Sequence, residues 1–249
     1  MAGGRRLLHA ITRVDAKVGG EGLEVINTAS LRAVCSAANE EVEGADTEWL
    51  AAAARRHHEI IQQLFESATV LPVRFGTLID DGALRALLER EATGLEAELA
   101  RLEGLAEWGA KLIADPATLA NAAEQSSEAL HELDAQLRAS TPGKAYLLSR
   151  RRETAVSEAV EQHAAAIIQQ VRSELEARAV AVADLPLPAI SVAPENVLAN
   201  LAFLVPRNST DNFATAADQA ARDAQISLEL SGPWPPYSFV NLNVGGDDG

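Results

Sequence analysis

Two adjacent histidines, His57 and His58, are the first residues whose type could do chemistry, because imidazole is a common metal ligand. Two zinc ligands on one helix need a spacing of three or four residues to share a face, whereas neighbouring side chains point about 100° apart. The remaining histidines, His9, His131 and His163, are isolated in the sequence. We therefore expect no metal site, with one half-buried and one solvated histidine in the pair.

Two glycine-containing segments have only part of a phosphate-binding pattern. Residues 143–144 (Gly-Lys) follow a predicted helix, whereas a phosphate-binding loop follows a strand. That loop also needs Gly at position 138 and Ser or Thr at position 145, where this sequence has Arg138 and Ala145. Residues 19–22 (Gly-Gly-Glu-Gly) lack the dinucleotide spacing and the helix that must follow it. No Gly-x-Ser-x-Gly motif marks a nucleophilic serine. The sequence therefore contains no recognisable phosphate-binding, dinucleotide-binding or nucleophilic-serine motif, and we expect no cofactor.

Residues 150–152 (Arg-Arg-Arg) form a basic cluster inside a predicted helix. A nucleic-acid surface would need more positive charge and interleaved aromatic residues. Glu153, Glu158 and Glu161 follow within a few turns, which favours a solvated helix face crossed by ion pairs. A docking site for an acidic partner is the alternative interpretation.

Residues 234–237 (Trp-Pro-Pro-Tyr) bring two aromatic rings into a stiff segment. The prolines fix φ, so both rings are held at a low cost in entropy. The segment is either a closing element that buries Trp234 on the last sheet or a rigid aromatic anchor for a partner. The structural interpretation is favoured.

Composition excludes several classes of protein. The 249 residues are 47% hydrophobic with a net charge of −15, so a globular fold is expected and anionic surfaces such as nucleic acid or lipid are repelled. The one cysteine, Cys35, cannot form an internal disulfide or a cysteine-based zinc cluster. The sequence has no apolar run of about 18 residues and no signal-peptide core, so we expect a cytoplasmic protein.

Hydrophobic periodicity predicts the elements that position these residues. Strands are predicted at residues 7–14, 23–27, 31–35, 70–76, 107–113, 198–205 and 226–231, and helices at residues 47–68, 81–102, 115–137, 144–182 and 208–222. Strands and helices do not alternate strictly, which favours an α+β fold. We predict two domains: residues 1–104, an N-terminal α+β domain, and residues 105–249, a modified ferredoxin-like sheet with a long helical hairpin insertion.

Four segments, in order, carry a family resemblance. They are residues 70–77 (Val-Leu-Pro-Val-Arg-Phe-Gly-Thr), 107–111 (Glu-Trp-Gly-Ala-Lys), 143–147 (Gly-Lys-Ala-Tyr-Leu) with 151–153 (Arg-Arg-Glu), and 232–240 (Gly-Pro-Trp-Pro-Pro-Tyr-Ser-Phe-Val). Together they resemble the gas vesicle proteins of the GvpF/GvpL family, and the last segment is the most discriminating. The resemblance spans residues 70 to 240.

The resemblance implies a minor gas vesicle protein that is not an enzyme. It implies two α+β domains, the second a modified ferredoxin-like fold, and binding to the small hydrophobic shell protein during gas vesicle assembly or nucleation. The implied partners are the major shell protein and other minor gas vesicle proteins, with no nucleic acid and no lipid membrane, at the gas vesicle in the cytoplasm. We expect partner binding by Arg74, Arg150, Arg151, Trp234 and Tyr237.

Binding to a hydrophobic shell protein has a physical rationale. A shell protein that faces gas exposes apolar surface before it assembles, and a carrier can cover that surface while its own net charge keeps the complex in solution. Two alternatives stay open: a small-molecule-binding regulatory module with a ferredoxin-like domain, and an enzyme with an unrecognised pair of carboxylates.

Overall fold

A computed structural model describes residues 5–38, 47–187 and 196–240. The chain forms two compact units: the first takes in the described parts of residues 1–107, 206–208 and 232–249, and the second takes in those of residues 108–205 and 209–231. Antiparallel sheets combine with helices, so the fold is of the α+β class. The predicted boundary lies between residues 104 and 105, and the predicted second domain extends to residue 249. In the structure, residues 232–240 lie in the first unit.

The first unit is built on a five-stranded sheet with strand order β2-β3-β1-β4, in which β5 also pairs with β1. Its strands are β1 (Arg5–Arg13), β2 (Leu23–Asn27), β3 (Leu31–Ala37), β4 (Val70–Pro72) and β5 (Leu78–Asp80). Residues 8–12 of β1, the central strand of this sheet, are buried without alternation. The predicted strand at residues 70–76 ends early, since the chain turns through Gly76, whose φ is +87°.

Three helices complete the first unit: α1 (Thr47–Ser67), α2 (Asp81–Arg90) and α3 (Ala92–Arg101). The apolar stripe of α1 packs on β1, β3 and β4 through Ile60, Ile61, Leu64 and Phe65. Asp80 caps α2 by accepting the N–H of Ala83 at 2.8 Å. The helix predicted over residues 81–102 is two helices, since the chain departs from helical geometry at Glu91.

The second unit holds most of a four-stranded sheet with strand order β7-β8-β6-β9. Its strands are β6 (Leu105–Ile113), β7 (Ala181–Asp184), β8 (Val197–Pro206) and β9 (Ser227–Trp234). Helix α7 (Thr210–Asp223) lays Phe213, Ala217 and Ala220 on this sheet, at positions that recur every three or four residues. The Phe213 ring lies 5.5 Å from that of Phe203, so aromatic packing fixes α7 on β8.

Helices α4 (Pro116–Ser126), α5 (Glu128–Arg138) and α6 (Pro142–Glu176) connect β6 to β7. The helix predicted over residues 115–137 is broken at Ser127, whose hydroxyl accepts the N–H of Leu130 and caps α5. The prediction of a helix to residue 182 is wrong, because α6 ends at Glu176 and residues 181–184 form β7 against β8. No helix within the described residues is long and apolar enough to cross a membrane.

Candidate functional site

Two histidines from distant parts of the chain meet inside the first unit. His9 lies on the buried centre of β1 and His57 on the apolar stripe of α1, and each is no more than 3% exposed. Their Nδ1 atoms are 2.8 Å apart. The outer nitrogens also have partners, since His9 Nε2 lies 3.0 Å from Ser36 Oγ and His57 Nε2 lies 2.9 Å from the carbonyl oxygen of Val73.

These four partners define one arrangement of protons for the neutral rings. The Val73 carbonyl only accepts, so His57 Nε2–H donates to it and His57 Nδ1 is left as an acceptor. His9 Nδ1–H therefore donates to His57 Nδ1, and Ser36 Oγ–H donates to His9 Nε2. The result is a one-way chain of hydrogen bonds from a serine hydroxyl to a backbone carbonyl.

This arrangement is a poor activator of Ser36. Burial, followed by the proximity of His57, lowers the pKa of His9 to about 4, and burial lowers the pKa of His57 as well. A base with so low a pKa takes a serine proton weakly at neutral pH, and the third group is a neutral imidazole where a hydrolase has a carboxylate. We interpret the chain as structural, since it satisfies four polar groups on buried faces.

An apolar cavity of 460 Å³ opens beside this chain in the first unit. Its polar wall holds His9, Ser36 and His57, and Glu21 and Arg56 also line it. The rest of its lining is mostly aliphatic and aromatic and includes Leu7, Leu23, Trp49, Leu50, Ala53, Ile60, Phe75 and Leu78. Its volume and lining are those of protein sites that hold a small ligand or the apolar side chains of a partner.

Tyr237 and Trp234, two of the predicted partner-binding residues, both contact His58 of α1. The ring of Tyr237 stacks on His58 at 6.0 Å between centroids, and the ring of Trp234 meets His58 edge-on at 5.5 Å. Trp234 ends strand β9 and is 37% exposed, so the expectation that it is buried on the last sheet is wrong. The two prolines between these rings are the buried part of the segment.

Glu107 anchors the segment that follows Trp234. Its carboxylate, 8% exposed, accepts the backbone N–H and the hydroxyl of Ser238, both at 2.7 Å. Burial raises the pKa of Glu107, and the two hydrogen bonds from Ser238 oppose that shift. Burial and the nearby Glu107 also raise the pKa of Tyr237 to about 12. Arg101 donates to the carbonyl oxygen of Phe239 at 2.6 Å, so side chains hold the middle and the end of the turn over residues 237–239.

The three predicted arginines lie elsewhere. Arg74 is exposed in the turn between β4 and β5, where its carbonyl accepts the hydroxyl of Thr77. Arg150 and Arg151 are exposed on α6 in the second unit. Arg152, the last residue of the cluster, turns instead toward Glu124 and Asp134, each 2.6 Å away. The cluster is therefore divided between an exposed face and an ion-pair network that holds α6 to α4 and α5.

Sequence reasoning treated His9 as isolated and did not find its pairing with His57, nor the roles of Ser36 and Glu107. A signal was present, because His9 interrupts an apolar strand and His57 falls on an apolar helix stripe, and buried polar groups need partners. Of the pair at residues 57–58, His57 is buried and His58 is partly exposed. The described residues contain no group of three or more His, Cys, Asp or Glu side chains that could hold a metal ion.

Comparison with known proteins identifies the family. The model of the family described as "Gas vesicle synthesis protein GvpL/GvpF" matches residues 5–241, and the chain belongs to this family. The resemblance found in the four sequence segments is thereby confirmed, and with it a role in gas vesicle formation.

Individual relatives of both kinds match the chain. It is 34% identical to gas vesicle protein L of Streptomyces sp. (strain CB03234), over 79% of this chain and 72% of that protein. It is 29% identical to gas vesicle protein F of the same strain, over 90% of this chain and 92% of that protein. The crystal structure of GvpF from Anabaena sp. PCC7120 has the same fold, with a TM-score of 0.76 at 18% identity over 97% of this chain and 99% of that one.

Proposed function

We propose that this protein is a minor gas vesicle protein that binds the small hydrophobic shell protein and assists gas vesicle assembly or nucleation. The observation that carries the proposal is the apolar cavity of the first unit, beside which Leu50 is 40% exposed. Apolar side chains of an unassembled shell protein would fill this cavity and leave water, which is favourable in proportion to the apolar area buried. The net charge of −15 would keep such a complex from associating further.

Other features of the proposal follow from the same role. The protein is located at the gas vesicle, and its partners include other minor gas vesicle proteins as well as the shell protein. No catalysis is involved. Arg74, Trp234 and Tyr237 remain candidates for partner contacts. The second unit is proposed to be a modified ferredoxin-like domain, supported by its strand order β7-β8-β6-β9 and by the hairpin of helices between its first two strands.

The cavity also supports the second candidate, a small-molecule-binding module, because 460 Å³ lies within the range of small-ligand pockets. This candidate differs from the alternative drawn from sequence, which placed the ligand on the ferredoxin-like domain. The two functions make different demands, since a small molecule would fill the cavity without any shell protein.

A substitution inside the cavity tests the shell-protein role. Ala53 lines the cavity, whereas Ala52 on the same helix is exposed and does not. We expect Ala53→Trp to weaken binding of purified shell protein by about tenfold or more, as removal of a central contact does, and Ala52→Trp to bind within about twofold of wild type. Binding is measured by pull-down and by titration in solution.

Leu50→Ser serves as a second variant, because an exposed residue can be replaced without loss of the fold. Thermal unfolding of each variant separates a lost surface from a lost structure. If folded Ala53→Trp and Leu50→Ser both bind shell protein like wild type, the cavity is not the binding surface and the proposal fails.

A further inference from the structure

The first turns of α6 carry the two most exposed large apolar side chains in the described part of the chain. Tyr146 is 67% exposed and Leu147 is 65% exposed. The next residue, Leu148, is 4% exposed, so the helix has a clear inner and outer side at this level. Single exposed apolar residues are common on proteins, but two large ones that are adjacent on the outer side of a helix, about 100° apart, form a small apolar surface.

Two arginines extend this surface along the helix. Arg150 follows Tyr146 by four residues and Arg151 follows Leu147 by four, so each arginine lies one turn beyond an apolar side chain on the same face. The helix therefore carries two adjacent rows of side chains, each with an apolar residue followed by an arginine. We call these four residues the hairpin-tip face, because they lie near the connection between α5 and α6.

The hairpin-tip face has the opposite charge to the rest of the protein. Residues 139–152 contain four basic and no acidic side chains, in a chain whose net charge is −15; of the four, Arg152 is paired with Glu124 and Asp134. Arg150 pairs at 2.8 Å with Glu153, but both side chains are about two-thirds exposed, and such pairs contribute little to stability. Arg151 has no ion pair within the described residues. The Arg151 guanidinium is thus available to carboxylates from outside, and Arg150 can exchange its exposed partner Glu153 for one.

We infer that the hairpin-tip face binds an acidic amphipathic helix of a partner protein. Apolar side chains of that helix would lie on Tyr146 and Leu147, and its carboxylates would meet Arg150 and Arg151. A helix fits because its own side chains recur at the same three- and four-residue spacing. Local charge complementarity with Arg150 and Arg151 selects an acidic partner. An acidic helix differs from a purely apolar shell protein, so this inference goes beyond the proposed function.

The test uses the full chain and a synthetic probe. The probe is a fluorescein-labelled amphipathic helix with leucine on one face and glutamate on the other, and its binding is followed by fluorescence anisotropy. A second peptide carries lysine in place of glutamate. At physiological salt, which screens charges outside the interface, we expect the acidic probe to bind at least about tenfold more tightly than the basic one, because opposite charges attract and like charges repel across the interface.

Two charge-reversal variants locate the binding surface. Arg150→Glu with Arg151→Glu removes the basic part of the hairpin-tip face, and Arg55→Glu with Arg90→Glu changes net charge equally at exposed positions of the first unit. We expect the first to weaken the acidic probe by about tenfold and the second by less than about twofold. Tyr146→Ser with Leu147→Ser should weaken it by about fivefold through loss of apolar contact, with unchanged thermal unfolding.

The inference is overturned if the control charge reversals weaken the probe as much as those at the hairpin tip. It is also overturned if the basic peptide binds as well as the acidic one. Tighter binding of a DNA duplex or of phosphatidylserine vesicles than of the acidic probe would likewise overturn it. Because the shell protein contacts a different proposed surface, Arg150→Glu with Arg151→Glu should leave shell-protein binding unchanged, which separates this inference from the proposed function.

Discussion

At the scale of single residues, the His9–His57 pair shows how polar side chains are kept inside an apolar core. Each of the four ring nitrogens has one hydrogen-bond partner, so neither ring leaves a buried polar atom unpaired. The arrangement favours neutral rings because both imidazoles are buried, and a buried positive charge loses its hydration. A proton added to His9 would make Nε2 a donor to Ser36 Oγ, so the hydrogen bonds can persist and the cost of protonation is the burial of a charge.

This dependence predicts that the protein loses stability in mild acid. The pKa of His9 is lowered from 6.5 to about 4 by burial, so the folded state resists a proton that the unfolded state accepts. The free energy of unfolding is therefore at its full value above pH 6.5 and falls as the pH drops toward 4. His9 alone should contribute a loss of about 3 kcal/mol, measured by urea unfolding at several pH values.

Glutamine at both positions provides the control for this pH dependence. In His9→Gln with His57→Gln, each amide can donate and accept in the same pattern without titrating, so we expect a shallower decline in stability between pH 6.5 and 4. His131→Gln removes an exposed histidine and should leave the decline unchanged. Equal declines in all three proteins would mean that the buried pair does not titrate in this range.

At the scale of elements, Arg152 is the residue that ties the helices of the second unit together. It reaches Glu124 of α4 and Asp134 of α5 at 2.6 Å each, and the carboxylates raise its pKa further. The neighbouring Arg151 is exposed and makes no ion pair within the described residues. Adjacent arginines thus differ completely in what they contact, because successive helical positions are rotated by about 100°.

Substitution of these arginines should separate a structural role from a surface role. Arg152→Gln should lower the free energy of unfolding by about 1 kcal/mol, since it removes two partly exposed ion pairs. Arg151→Gln is the matched control and should change stability by less than about 0.5 kcal/mol. Chemical denaturation measures both. An effect of Arg151→Gln as large as that of Arg152→Gln would contradict the assigned contacts.

The C-terminal segment is held more by Glu107 than by its tryptophan. Glu107→Gln leaves one amide oxygen to accept two hydrogens from Ser238 and should cost about 1–3 kcal/mol of stability. Trp234→Ala removes a partly exposed ring whose contact is with His58, and should cost about 1 kcal/mol. Thermal and urea unfolding measure both variants, with Glu103→Gln as an exposed control. A larger loss for Trp234→Ala than for Glu107→Gln would reverse this ranking.

At the scale of the whole molecule, a strong net charge coexists with an apolar cavity. The net charge of −15 produces an electric field that extends into the surrounding solvent, whereas the cavity of the first unit interacts only with groups that enter it. Salt screens the first effect within about 8 Å at physiological ionic strength and hardly alters the second. The two proposed surfaces should therefore respond differently to salt.

We expect shell-protein affinity to change by less than about threefold when salt rises from low to physiological concentration, because the contact proposed for it is apolar. Binding of the acidic probe to the hairpin-tip face should weaken clearly over the same range. Titrations of both ligands at matched salt concentrations provide the comparison. A steep salt dependence for the shell protein would show that charge rather than apolar burial is its main attraction.

The sequence by itself determined the class of fold, most elements and the family. Periodicity located α1 and α7 because each buries one stripe, and short apolar runs located β1 and β3, so both signals lie in the local order of apolar residues. The family resemblance rested on four short segments and was confirmed by a match over residues 5–241. The breaks at Glu91 and Ser127 and the short strand β7 were not predicted, because local propensity is weak where a neighbouring strand or a single cap decides the outcome.

The tertiary structure alone decided which distant residues meet. His9 and His57 are 48 positions apart, and Glu107 and Ser238 are 131 apart, so no local spacing could pair them. The same holds for the cavity, whose walls come from four strands, a helix and the loops between them. The reason is physical: a periodic pattern records that a side chain is buried, but its partner is chosen by the packing of elements that lie far apart in the chain.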